Sequence, residues 1–159
     1  MNLKTFFNIF KEAVARDADL SSWVYATFGS QLSVRADLPA DTIPDVEDDY
    51  PFIVLVPVER DSDQQRREIS YRLEAWLAFS MEDYRTPAEV SLTEPSGSEL
   101  ICEFIDYVKA AVVAALPANT WVGFVEMVDA LGHPPDVEGF IEMNFRHEPP
   151  IGSGDPTIT

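Results

Sequence analysis

A chain of 159 residues with 46% hydrophobic composition suits one domain burying roughly two-thirds of its unfolded surface, so neither a metal nor a disulfide is needed to hold it. Its 11 basic and 28 acidic residues leave a formal charge of −17, which repels phosphate and argues against sequence-specific nucleic-acid binding and against adhesion to anionic membranes. Otherwise the charge reads as that of a soluble, colloidally stable protein. The single cysteine, Cys102, permits no internal disulfide and favours a reducing compartment. Asn8, Lys11 and Glu12 interrupt the apolar residues near the N-terminus, unlike the unbroken core of a signal peptide. No apolar run approaches the roughly 18 residues of a membrane span, so folding in the cytoplasm is the expectation.

Leu3, Phe6, Phe7, Phe10 and Val14 recur at helical spacing, predicting an amphipathic helix anchored to a sheet by its phenylalanines. Leu32, Val34 and Ala36 alternate with polar residues as in a short strand, and Pro39, Pro44 and the run Asp45-Val46-Glu47-Asp48-Asp49 signal a loop. Phe52-Ile53-Val54-Leu55-Val56, bounded by Pro51 and Pro57, predicts a strand covered on both faces; Pro57 lacks an N–H and marks an edge or bulge. Residues 59–67 are too charged to be buried and read as an extended hairpin tip. Ile69, Tyr71, Leu73, Ala75, Leu77 and Phe79 then point one way, and Glu68, Ser70, Arg72, Glu74, Trp76 and Ala78 the other. That strict alternation is a strand's, and the two strands predict an antiparallel hairpin.

A loop with Pro87, Pro95 and Gly97 follows, in which Ser96-Gly97-Ser98-Glu99 matches a capping box. Leu100, Ile101, Phe104, Ile105, Val108, Val112 and Leu116 form one helical face, which Pro117 stops. Residues 121–128 read as a third main strand. Val137, Gly139, Ile141, Met143 and Phe145 alternate with Glu138, Phe140, Glu142, Asn144 and Arg146 as a fourth. Leu131-Gly132-His133-Pro134-Pro135 is turn chemistry between them. The expectation is a single α+β domain over residues 1–148: helix, two strands, helix, two strands, as antiparallel hairpins with helices on one sheet face. Residues 149–159, rich in Pro, Gly and Ser, read as a flexible tail.

Catalytic chemistry has little to work with. The histidines, His133 and His147, lie in loop-like or terminal sequence, and Cys102 lies on the second helix, where Ile101 and Ile105 point to a buried or half-buried thiol, with no motif joining it to a base. Zinc-type spacings are missing, and the acidic run at 45–49 lacks the glycine and distal glutamate of a calcium loop. No glycine pattern forms a phosphate cradle. Glu74, Glu126 and Glu142 are three carboxylates among many and mark no general acid. Neither catalytic, cofactor-binding nor metal residues are expected. Trp76 and Phe140 stand out on the polar sides of their strands, where they either cover a second sheet face or contact another protein.

An N-terminal helix, the strand YPFIVLVPVE from Tyr50, the alternating strand REISYRLEAWLAFS, a helix ending VVAALP and a last strand GFIEMNFRHE occur in that order. In element order and strand character, over roughly residues 1–148, the chain resembles the tail terminator (tail-completion) proteins of long-tailed bacteriophages and prophages. The resemblance implies a non-enzymatic α+β protein without cofactor. It would form a ring, typically a hexamer, that caps the finished tail tube in the virion and joins it to the head-completion or connector protein. The acidic charge would then keep genome DNA from adhering in the lumen. A head–tail connector or minor tail subunit is the neighbouring reading. A small cytoplasmic binding module or acidic DNA mimic, with carboxylates in regular stripes, is the third.

Overall fold

The computed structural model describes residues 1–36, 51–81, 84–85, 94–95, 97–133 and 136–151, apart from the side chains of 84–85, 94–95 and 130–133. The acidic run at 45–49, Pro39, Pro44, Pro87, the capping residue Ser96, Pro134, Pro135 and the chain after 151 lie outside the described residues.

Helix α1 spans Leu3–Arg16, and the Asn2 side chain caps it by accepting the Thr5 amide at 2.8 Å. Its buried residues are Phe6, Phe7, Phe10 and Val14, four of the five apolar positions read from the spacing. Asp17 ends α1 and caps α2 (Ala18–Phe28), accepting from the Leu20 amide at 2.7 Å. Gly29 then closes α2 with a φ of 70°, the left-handed conformation that glycine takes without strain. This second helix departs from the expected element order.

Strand β1 (Ser33–Ala36) runs parallel to β2 (Phe52–Asp63), and β2 forms an antiparallel hairpin with β3 (Glu68–Ser80). The register shifts between Pro57 and Glu59, the bulge expected of a proline without an N–H. Two expectations need correction here. Ile53 and Leu55 are buried while Phe52, Val54 and Val56 are half-buried, so β2 is covered on one face only. Residues 59–63 also continue the strand, because Glu59, Asp61 and Asp63 point away from the helices while Arg60, on the helix side, donates to the Met1 carbonyl, and the tip shrinks to 64–67.

A short ladder joins β4 (Tyr84–Arg85) to β5 (Glu94–Pro95) before α3 (Gly97–Ala114), which stops short of Pro117. The second hairpin, β6 (Thr120–His133) and β7 (Asp136–His147), is longer than expected: pairing extends to His133 opposite Asp136. The main sheet has the order β1-β2-β3-β7-β6, antiparallel except for β1. The fold is α+β, and β6 forms one edge of the sheet.

Ile69, Tyr71, Leu73, Ala75, Leu77 and Phe79 of β3 and Val137, Ile141, Met143 and Phe145 of β7 form a single core with the helices. Phe6 stacks on Tyr71 with ring centroids 3.7 Å apart and meets Phe145 edge-on at 5.1 Å. The Tyr71 hydroxyl and Arg60 Nε both donate to the Met1 carbonyl, at 2.7 and 3.1 Å, fastening the start of α1 to the sheet. Burying each such ring stabilises the fold by roughly 1.5–3 kcal/mol. Helix α3 seats on β7 through a glycine: a Cβ on Gly139 would lie 2.9 Å from Ile101 Cγ1 and 3.2 Å from Ile105 Cδ1.

Candidate assembly surface

Because strand side chains alternate, the sheet that buries one face against three helices presents the other without helical cover among the described residues. The register assigns that open face row by row. Val54, Trp76, Phe140 and Met127 lie side by side across β2, β3, β7 and β6. Trp76 is 48% exposed, Met127 is 63% exposed, and the Trp76 and Phe140 rings stand 4.7 Å apart. The sequence placed both rings on this side, and the structure brings them into contact.

The next row, Val56, Glu74, Glu142 and Val125, sets two carboxylates directly opposite each other, a pairing that costs stability rather than adding it. Further along, Glu59, Asp61, Ser70, Arg72, Asn144 and Arg146 surround a shallow hollow, where Arg72 pairs with Glu59 at 3.4 Å and Arg146 with Glu68 at 3.9 Å. Arginines and rings thus interrupt the carboxylates. The regular acidic stripe expected of a DNA mimic is not what the open face carries.

The sheet edges differ. β1 is only four residues long, and beyond it the outer side of β2 carries Pro57, the bulge and the charges Glu59, Arg60, Asp61 and Asp63. β6 has fourteen residues, no proline and no basic residue other than the terminal His133. Trp121 (54% exposed), Val125 (52%) and Met127 point to the open face, and Val128 is exposed on the other. Glu126 faces the helices and accepts from Lys109 of α3, whose ammonium also lies 5.4 Å from the Phe124 ring centroid. That hydrogen bond, then the Glu126 and Asp106 charges, raise the Lys109 pKa above its ordinary 10.5 against the opposing effect of burial. Exposed apolar side chains on an unguarded edge strand make a surface suited to another polypeptide.

The residues weighed for chemistry do not converge. Cys102 is exposed, contrary to the expected buried thiol: α3 buries Ile101, Phe104, Ile105 and Val108, and residue 102 falls a hundred degrees around from Ile101. His133 and His147 end opposite ends of the second hairpin, on the order of 35 Å apart along β7. His147 Nδ1 lies 2.9 Å from Thr120 Oγ1 and closes the hairpin's open end. Glu74 and Glu142 are on the open face and Glu126 on the other. Among the described residues no group of three or more His, Cys, Asp or Glu is arranged to hold a metal ion, and no helix is long and apolar enough to cross a membrane.

Sequence reading missed the edge residues Trp121, Val125 and Met127. Their signal was a strand free of the prolines and lysines that guard edges, but only the strand order reveals that β6 is an edge. Compared with protein-family models and with curated proteins, the sequence matches none.

Proposed function

We propose that this chain is a virion assembly protein of a bacteriophage or prophage, forming a ring that terminates the tail tube and joins tail to head. It works by surface recognition, without catalysis or cofactor, and assembles in the bacterial host cytoplasm before entering the tail. The single observation carrying this reading is the band Val54–Trp76–Phe140–Met127 running to the bare β6 edge in a chain of charge −17. A strongly charged protein gains nothing from exposing two tryptophans and a long strand to water unless another chain covers them. The resemblance to tail terminators in element order and strand character is what points to that chain's identity: further copies, the tail tube protein and the head-completion protein. A ring also gives the acidity a use, since a negative lumen passes DNA without holding it.

The test mixes the purified protein with tail tubes and examines them by negative-stain microscopy. The reading predicts rings seated on tube ends. Tubes left bare at saturating protein, with no rings on the grid, contradict it.

A further inference from the structure

We propose that the ring is closed by adding β1 of one copy to the β6 edge of the next, so that the sheet continues from protomer to protomer. This rests on the ring reading above and names its seam. A β-strand edge presents a row of amide and carbonyl groups that only another extended chain satisfies along its length. Strand direction favours a neighbouring copy. β1 runs with β2, β3 against β2, β7 against β3, and β6 against β7, so β1 and β6 run opposite ways. A copy rotated about an axis along the strands therefore offers an antiparallel strand to β6 with its helices on the same side. That is a head-to-tail contact, the kind that closes a ring.

Charge points the same way. The one ionised residue of β1 is Arg35, while over residues 120–129 β6 carries Glu126 and Asp129 and no cation. The seam so brings no further acidic residue against β6, whose Glu126 is held by Lys109 on the helix side. Two β6 strands meeting about a twofold axis would instead bring like-charged edges together. Apart from Thr120, the remaining residues of β6 over 120–129 are apolar, which lets two chains of charge −17 approach with little carboxylate between them. Ser33 of β1 lies on the same sheet face as Phe52, in the open-face set with Val54 and Trp76, which puts it on the side of Val125 and Met127 after addition.

Disulfide trapping in a Cys102→Ser background tests the seam, since Cys102 is the chain's single cysteine. Ser33→Cys is combined in turn with Trp121→Cys, Val125→Cys and Met127→Cys, and each is also made alone. Oxidation follows at high concentration and again after addition of tail tubes, with folding checked by circular dichroism. The seam predicts that at least one combination yields a covalent ladder ending in a closed ring resistant to denaturant, while the single variants remain uncrosslinked. A covalent dimer from Met127→Cys or Val125→Cys alone overturns it in favour of a twofold contact. Rings on tubes without a ladder from any combination overturn the seam and leave the virion reading standing. A ladder from protein that ignores tubes does the reverse. A protein that stays monomeric throughout overturns both.

Discussion

β2 and β6 stand near opposite sides of one sheet, each twelve or more residues long and each with a side turned away from the other strands. On β2 a short parallel strand covers the apolar residues 52–55, and the uncovered remainder holds a proline, a bulge and four charges within seven residues. On β6 there is neither proline nor bulge before residue 129, the one charge before it, Glu126, is paired with Lys109 on the helix side, and the exposed apolar side chains are Trp121, Val125, Met127 and Val128. Guarded edges keep copies of a protein apart, whereas an unguarded edge of this length invites aggregation unless a particular partner occupies it. The difference teaches that this chain guards β2 against strand addition, leaving only the four-residue β1 on that side, and solicits it along β6. Its acidity does not change that, because the soliciting side is where carboxylates are sparse.

How firmly the bare edge is held decides what it can offer. The largest effect should come from the seat of α3 behind β7 and β6. Gly139→Ala puts a methyl group into Ile101 and Ile105, and repacking of this kind costs about 1–3 kcal/mol, read as a lower urea midpoint at unchanged slope. An unchanged midpoint would mean that α3 is not seated as described.

Lys109→Met should have a smaller effect, because it removes a partly exposed ion pair between α3 and β6, worth about 0.5–1 kcal/mol. Its pH dependence has a definite sign. The folded pKa of Lys109 is raised, so its contribution is fully present below the unfolded value near 10.5 and is lost as pH climbs through the higher folded value. Wild type and variant should differ by a constant amount from pH 7 to 9 and converge above about 10.5. A gap that persists at the highest pH would assign the loss to packing instead of charge.

Much of the fold is legible in the sequence wherever one face is buried and the other wet. Strands β3 and β7 alternate so strictly that their inward residues can be named from spacing alone, and Pro57 announces its bulge. Misreadings arise where local pattern is ambiguous. The run Phe52-Ile53-Val54-Leu55-Val56 is continuous because its outer residues join the open-face band, not because helices cover both sides. Helix α2 had its signals in Asp17, in Leu20, Trp23, Val24 and Phe28, and in Gly29, but eleven residues with few charges give a weak periodic contrast. The assembly surface was half legible. Trp76 and Phe140 betray themselves by sitting among polar residues, whereas Trp121, Val125 and Met127 matter only because β7 rather than β6 pairs with β3. No local pattern encodes that long-range choice.

The central claim is that copies join through the bare β6 edge and not through the guarded stretch of β2, and light scattering across a concentration series tests it most directly. Wild type is compared with Met127→Lys on the bare edge and Ser62→Lys on the guarded one, two exposed positions where lysine costs the fold little. The account predicts a mass several-fold above 17.8 kDa for wild type and for Ser62→Lys, alone at high concentration or with tail tubes, and a drop towards the monomer for Met127→Lys. Equal masses for the two variants, or dissociation by Ser62→Lys alone, would contradict it.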